Sequence, residues 1–594
     1  SSFERLIMGL QVALQLGFYS LCLTLALLDL GEGQILPEPA QINCVWSAWS
    51  EWSACDPCTK VRRRSRGIEV FGQFAGDACQ GSIGERQACV TTDKCVVPTV
   101  APCPNSDFQC DSGTCIKKRL VCNDDLDCED QSDEYDCDTL RKPCGESVLM
   151  NNEQGRTAGY GINILGSAPR MNPFNNDYFY GRCDRVRNPT SGQYDRLPWN
   201  VGVLNYETLV EETFSREIYE DTHSLLKEIL HEKTFNIDAG LSFKFSPSEQ
   251  SNSNLSGSVG AEGGFSRTSM IKNVTEYTKI KNKSFIKIKG TVQLSTYRLR
   301  SRELQVNDEF VRHVKELPLE YEKGGYFAFL EDYGTHYTKN GKSGGQYELV
   351  YVLNQDTIKE KKMTERKIQE CFKAGLTADI SIAGGPSIGG HVKPDGCDTK
   401  PSSETETRDG KAMVDKVMTS VRGGTVDTAG VMRAKLNIEG VMDINAYKEW
   451  ARSVGEYPAL LNSEPEPIYN LIPLDVPDVN TKISHLKRAT QDYLAEYSVC
   501  KCKPCQNGGS PALINGNCMC LCAPLFEGLA CQNFKSDKAN NQGGRPQVNQ
   551  EGNWSCWAAW STCSGGKRSR TRSCNTDGLV GASCRGDTRS EDYC

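Results

Sequence analysis

The chain has 594 residues, 24% of them charged, and a formal net charge of −8. That length calls for several domains, and the acidic balance gives no electrostatic basis for holding a nucleic acid backbone. Its 29 cysteines exclude a reducing compartment, because disulfides at this density persist only under oxidising conditions.

Cysteine placement divides the chain. Twelve cysteines lie between Cys44 and Cys137, and twelve between Cys500 and Cys594. Only Cys144, Cys183, Cys371 and Cys397 lie between those clusters, and Cys22 stands in an apolar run at the start. Leu6 to Leu30 carries no charge before Asp29. A secretory signal over residues 1–33, cleaved near Gly31 to Gln34, is expected from that pattern. A membrane anchor is the other reading of a run this long. Past Gly33 no comparable apolar run occurs, so the mature protein is expected to be secreted and soluble when made.

Two segments repeat each other. CVWSAWSEWSAC (44–55) precedes KVRRRSRG, and NWSCWAAWSTC (553–563) precedes KRSRTRSC. Trp46, Trp49 and Trp52, like Trp554, Trp557 and Trp560, recur every third residue. Arg62, Arg64 and Arg66, like Arg568, Arg570 and Arg572, recur every second residue, which sets them on one face of a strand. A guanidinium stacks on an indole face, so a Trp–Arg ladder is expected where a core is too small. Both segments (41–96 and 550–594) resemble the thrombospondin type 1 repeat. That resemblance implies C-mannosylation at Trp46, Trp49 and Trp52. It also implies the bridges Cys44–Cys79, Cys55–Cys89, Cys58–Cys95, Cys563–Cys594 and Cys574–Cys584.

Residues 101–138 hold six cysteines and an acidic SDE tail, and resemble the LDL-receptor class A module. A segment this short folds only with help from disulfides and a hard cation. The resemblance implies Cys103–Cys115, Cys110–Cys128 and Cys122–Cys137. It implies a structural calcium ion (Ca2+) held by side chains of Asn123, Asp127, Asp133 and Glu134 and by the carbonyls of Leu120 and Asp125. Asn123 stands where the family commonly has Asp, which removes one charge from the site.

Residues 500–532 resemble an EGF-like module with pairs Cys502–Cys518, Cys505–Cys520 and Cys522–Cys531. Cys500 is then left over, and the final repeat has five cysteines. Pairing Cys500 with Cys556 settles both parities, although spacing alone does not decide it.

The cysteine-poor stretch 140–498 shows mixed periodicities. Phe214, Ile218, Leu225, Leu226, Ile229 and Leu230 predict a helix within Glu207 to Lys233, and Val479 to Val499 predicts another. Between them, YFAFLEDYGTHYTKNGKSGGQYE (326–348) resembles the signature of the membrane-attack-complex/perforin (MACPF) family. The resemblance implies a bent central sheet with Gly344 and Gly345 at the hinge. A Cys144–Cys183 bridge is also expected in this stretch. Gly423-Gly424 forms a second pair.

Two stretches have the alternation of a lipid-facing barrel wall. Ile237, Ala239, Leu241, Phe243 and Phe245 form one apolar face, and Phe372, Ala374, Leu376, Ala378, Ile380 and Ile382 form another. Leu255 to Phe265, and Ile388, Gly390 and Val392, alternate more weakly. If Cys371 and Cys397 pair across a hairpin, its turn falls at Gly384, inside Ala383-Gly384-Gly385-Pro386. Six apolar side chains gain roughly 10–15 kcal/mol on burial. A lone hairpin in lipid leaves about six donors and six acceptors unpaired on each edge, at several kcal/mol apiece. The edges win, so a single copy is not expected to insert alone. The resemblance implies that these segments are helical in the soluble form and unfurl on assembly.

Other signals carry less. Gly341-Lys342-Ser343-Gly344-Gly345 matches G-x-S-x-G but is followed by a strand-like QYELVYVL. His336 reads as structural, and Arg585-Gly586-Asp587 is a tripeptide that arises by chance. No enzyme is expected. Sequons at Asn273, Asn282 and Asn553 are candidates for N-glycosylation. Asn254, near the tip of the first hairpin, is expected to be unmodified, because its glycan would have to cross the bilayer.

The expected fold is a multi-domain mosaic: a central α+β domain with a bent antiparallel sheet, flanked by disulfide-rich modules. With RSRGIEVFGQFAGDAC (64–79), RTAGYGINILG (156–166) and YEKGGYFAFLEDYGTHY (321–337), the mature chain resembles the terminal complement components of the MACPF family. That implies a secreted pore former whose partners are the components assembled through component eight, further copies of itself and a target bilayer. The closing thrombospondin repeat leaves an alpha or beta chain of component eight as an alternative. An adhesive extracellular protein is the distant one.

Overall fold

The computed structural model describes residues 37–96, 102–165, 168–189, 191–214, 218–219, 222–231, 242–243, 270–271, 273–274, 283–360, 368, 414–439, 443–514, 516–522, 526–534, 553–575, 583–584 and 586–594. Among them no helix is long and apolar enough to cross a membrane.

The first module is built on β1 (Val61–Ser65), β2 (Gly72–Gln73) and β3 (Gly84–Ala88), with β1 and β3 antiparallel. Stacked rings replace a core. Arg66 lies 3.9 Å from the Trp46 ring and 4.4 Å from Trp49, and Arg64 lies 4.8 Å from Trp49 and 4.5 Å from Trp52. Arg62 closes the ladder 4.9 Å from Trp52. The last module repeats it, with Arg572, Arg570 and Arg568 between Trp554, Trp557 and Trp560. Such contacts contribute about 0.5–2 kcal/mol each.

Residues 102–137 dock on the central domain. Ile116 and Leu120 share a small core with Tyr178 and Trp199. The Arg196 guanidinium grips the Asp125 carboxylate with two bonds, one of 2.8 Å, and both side chains are buried.

The central sheet has seven strands. The long ones are β4 (Val201–Phe214), β6 (Lys283–Leu299), β7 (His336–Asn354), β8 (Val414–Arg422) and β9 (Ala459–Pro467), joined by Gly161–Asn163 and Ala168–Pro169. The short β5 (Ser242–Phe243) lies outside it. The longer helices of the central domain are α1 (Thr222–His231), α2 (Asp308–Glu316), α3 (Lys323–Tyr333), α4 (Val426–Glu439), α5 (Ile444–Ser453) and α6 (Val479–Glu496). Strand period sorts the core onto two faces. Ile286, Ile288, Tyr347, Leu349, Tyr351 and Val421 meet Met432, Leu436, Tyr447 and Trp450 of α4 and α5. The opposite face sets Phe285, Val350, Val352 and Met418 against Leu225, Leu226 and Ile229 of α1 and against Met270, Ile271 and Val274. That second cluster is completed by Ala512, Ile514 and Leu521 of a hairpin formed by β10 (Ser510–Ile514) and β11 (Asn517–Leu521).

The helix expected from Glu207 is corrected. Glu207 to Phe214 belongs to β4, paired with β6, and helix begins only at Thr222. Leu225, Leu226 and Ile229 of the helical pattern face a core along a helix; upstream, pairing with β6 overrides local spacing.

Arg196→Met should leave the Asp125 carboxylate buried without its cation, at about 3–5 kcal/mol. We expect a lower melting temperature and faster proteolysis of residues 102–137, partly restored when Asp125→Asn is added. An unchanged protease pattern would show that this pair does not hold the module.

Candidate functional site: the bend of the central sheet and the segments it carries

β7 changes partners midway. His336 to Gly344 pair with β9, whereas Gln346 to Leu353 pair with β8. The switch falls at Gly344-Gly345, where side chains have no room. A Cβ on Gly344 would lie 2.0 Å from the Val292 carbonyl oxygen, and one on Gly345 would lie 2.6 Å from Val454 and 2.8 Å from the Trp450 ring. The second glycine pair meets the first. A Cβ on Gly423 would lie 2.6 Å from the Gly344 carbonyl oxygen, and Trp450 Nε1 donates to the Gly423 carbonyl at 2.9 Å. Opposite the switch, β6 bulges between Gln293 and Ser295, which turns the sheet further.

The groups beside the bend are structural. Ser343 lies within β7, and its hydroxyl donates to Gln154 Oε1 at 2.7 Å, so G-x-S-x-G spans a strand rather than a strand-to-helix turn. His336 Nδ1 sits 2.9 Å from Thr335 Oγ1, and burial lowers its pKa to about 4.

The sheet registers gather four strand ends at one side. Phe214 pairs with Ile288, Ile288 with Leu349, and Leu349 with Thr419. The chain between β4 and β6 and the chain between β7 and β8 therefore leave and re-enter the sheet at the same end. Of the expected inserting residues, Ile237, Ala239, Leu241, Phe245, Phe372, Ala374, Leu376, Ala378, Ile380 and Ile382 lie outside the described residues, as do Cys371, Cys397, Asn254 and Asn282. Phe243 belongs to β5, which pairs in parallel with β10: Ser242 opposite Leu513, and Phe243 opposite Ile514. The expected helical form is corrected at these two residues, because the edge of β10 offers backbone partners to an extended strand. Upstream, α1 is held by its apolar face and by Glu228, 3.6 Å from the buried Lys287 ammonium of β6. Asn273 is half-buried and helical, and Asn553 begins a two-residue strand.

The acidic loop brings its expected residues together. Asn123, Asp125, Asp127 and Asp133 are buried, and Leu120 is fully so. Asn123 Nδ2 donates to Asp127 Oδ2 at 2.7 Å, while Glu134 accepts the amides of Asn123 and Asp124 at 2.8 and 3.0 Å. Asp127 Oδ1 and Asp133 Oδ1 are buried with no hydrogen-bond partner. Burial, with Asp125, Asp133 and Glu134 close by, pushes Asp127 up to about 7. Orphaned carboxylate oxygens facing further carboxylates are a donor set that fits a hard cation. The Asp125 carboxylate is engaged by Arg196, which leaves its carbonyl as the group for the ion. Cys110, Cys128 and Asp130 also lie close together, but the two cysteines form a disulfide.

Among the described residues the cysteines pair as Cys44–Cys79, Cys55–Cys89, Cys58–Cys95, Cys103–Cys115, Cys110–Cys128, Cys122–Cys137 and Cys144–Cys183. Downstream they pair as Cys500–Cys556, Cys502–Cys518, Cys505–Cys520, Cys522–Cys531, Cys563–Cys594 and Cys574–Cys584. Sequence reasoning missed Arg196, Trp450 and the β10 edge. Each acts across a long sequence separation, and none carries a local signal.

Comparison with known proteins agrees with this geometry. Residues 154–503 match the MAC/Perforin domain, 101–137 the low-density lipoprotein receptor domain class A, and 47–95 and 552–594 the thrombospondin type 1 domain. Complement component C9 of Oncorhynchus mykiss is 59% identical over 95% of this chain and 99% of its own length. Complement component C7 of Pongo abelii is 30% identical over 95% of this chain and 63% of its own, and complement component C6 of Bos taurus is 28% identical over 94% and 58%. The chain belongs to the MAC/Perforin family and, within it, to the complement component C9 family.

Proposed function

We infer that this protein is a pore-forming terminal complement component that acts without catalysis. It is extracellular, and it joins an assembly carried through component eight. Further copies then add edge to edge, and two hairpins from each enter the target bilayer to close a β-barrel. Residues 500–532 serve as an EGF-like module. The component eight reading is less well supported, given the identity to C9 along nearly the whole of both chains.

One observation carries the insertion step: the sheet registers, counted onward past the described strands, keep the expected hairpins in phase. Phe214 and Leu349 lie on one row, through Ile288. Ile237 is as far beyond Phe214 as Phe372 is beyond Leu349, so the two apolar runs begin at the same height. Cross-strand neighbours share a face. Continued in the β4–β6 register, Phe265 falls opposite Ile237 and Val259 opposite Phe243. In the β7–β8 register, Ile388 falls opposite Ile380 and Val392 opposite Leu376. All four arms then present their apolar residues on one face, as a barrel wall requires. Cys371 is as far beyond Val352 as Cys397 is before Lys416, and Val352 and Lys416 already pair. The bridge expected from the sequence joins directly opposed residues of this extended sheet. The pair Leu353–Val414 slips by one residue, and insertion straightens that slip.

Calcium is the cation proposed for the acidic loop, held by Asn123, Asp127, Asp133 and Glu134 with the carbonyls of Leu120 and Asp125. It would supply the charge that the orphaned oxygens lack and tie the loop into one shape.

Four measurements test these readings. Liposomes bearing the assembly through component eight should release dye when this protein is added, and rings of many copies should be visible. One copy per assembly without rings would return the component eight reading. In those rings Gly263→Cys should cross-link to Ala374→Cys, which the β6–β7 register sets opposite it, and not to Ala378→Cys. The reverse preference would discard the register. Calcium should raise the melting temperature of residues 102–137, and Asp133→Ala should abolish that shift. Calcium binding displaces the proton that Asp127 holds up to about pH 7, so affinity should fall as pH drops below that value. A pH-independent affinity would exclude Asp127 as a ligand.

A further inference from the structure

The β10–β11 hairpin joins parts that are distant in the chain. On its outer side β11 pairs in parallel with β2 of the first thrombospondin repeat, Asn517 opposite Gly72 and Cys518 opposite Gln73. On its other side β10 pairs with β5, inside the first expected inserting segment. The four strands form one sheet in the order β5, β10, β11, β2.

Side-chain bonds add to the backbone pairing on the side of the repeat. Toward the repeat, the Gln73 side chain exchanges hydrogen bonds with the Lys503 carbonyl and amide at 3.0 and 2.7 Å. Lys501 Nζ donates to the Ile68 carbonyl at 2.8 Å, and the buried Glu496 carboxylate accepts from the Ile68 amide and from Lys323. Disulfides pin the hairpin to its own module through Cys518 and Cys520. Toward the inserting segment, two residue pairs are seen among the described residues, as many as join β11 to β2. The hairpin also covers the flanks of that segment. Ala512, Ile514 and Leu521 pack in one cluster with Leu225, Leu226 and Ile229 before it and with Met270, Ile271 and Val274 after it.

We propose that the β10–β11 hairpin is a latch, anchored on the first thrombospondin repeat, that holds the first inserting segment on the soluble protein. The proposal rests on the reading that this segment enters the membrane. A strand has two hydrogen-bonding edges. In a closed ring, one edge of the 237–245 arm faces its own hairpin partner and the other faces a neighbouring strand. No edge is left for β10, so pairing with β10 and membership of the barrel are mutually exclusive. Release of β5 from β10 is therefore a required step before insertion.

The test is a lock. Ser242→Cys with Leu513→Cys places two thiols at opposed positions of the β5–β10 pair. We expect the oxidised double variant to bind liposomes bearing the assembly through component eight yet lose at least ten-fold in dye release. Mild reductant that leaves wild-type lysis intact should restore it, and each single variant should lyse like wild type. Failure of the cross-link to form in the soluble protein would overturn the pairing. Full lysis by the cross-linked protein, or loss that reduction does not reverse, would overturn the latch. Absence of lysis by wild type would instead overturn the pore reading. Hydrogen exchange gives a check without substitutions. The Leu513 and Ile514 segment should lose protection on ring assembly while β2 and β11 keep theirs; unchanged protection at β10 would also sink the proposal.

Discussion

Unpaired backbone groups at a strand edge are the constraint on which the rest of this molecule depends. In water an open edge is tolerable, and in hydrocarbon it is not. A protein that must deliver hairpins to a bilayer therefore has to keep their edges occupied until neighbours arrive. The soluble fold does this by borrowing partners. β5 pairs with β10, and Tyr219 exchanges two backbone hydrogen bonds with Phe285 beyond the regular end of β4. Both pairings occupy backbone that the extended sheet would use differently.

The distribution of covalent staples follows from the same constraint. The flanking modules have no large core of their own, so bridges and the Trp–Arg ladders fix their shape. The central sheet has a core on each face, and those cores are unequal in what surrounds them. Trp450 and the two glycine pairs make a close-packed seam on the α4–α5 side, where backbone meets ring and backbone. The other face is covered by α1, by Met270 to Val274 and by the β10–β11 hairpin, of which the first two flank an inserting segment. One face is thus a close-packed seam, and the other is the cover that the proposed insertion would remove.

The legible part of the fold was the part with local chemistry. Trp46, Trp49 and Trp52 with alternate arginines announce a ladder because both spacings are short. The glycine pair at Gly344-Gly345 marks the bend because only glycine fits against the Val292 carbonyl and Trp450. The buried cluster of Asn123, Asp125, Asp127 and Asp133 was legible in the acidic loop, although the ion pair of Asp125 with Arg196 was not. The helix expected from Glu207 failed because edge pairing with β6 outweighs a weak helical period. The extended form of Ser242-Phe243 was out of reach for a similar reason: its partner, β10, lies far along the chain.

The balance of energies explains why such a machine waits. Leaving the soluble fold uncovers Leu225, Leu226, Ile229, Met270, Ile271 and Val274, all buried, at roughly 1.5–3 kcal/mol each. On the proposed insertion, Ile237, Leu241, Phe243, Phe245 and their counterparts would meet lipid, so apolar terms stand on both sides of the change. Backbone pairing decides. A single copy that inserts loses the partners supplied by β10 and gains none for its outer edges, at several kcal/mol for each group left bare. In the proposed ring each docking neighbour would remove one such edge, and closure would remove the last. On that proposal the transition is uphill for one molecule and downhill for many, which would make contact with an existing assembly, rather than contact with lipid, the event that opens the latch.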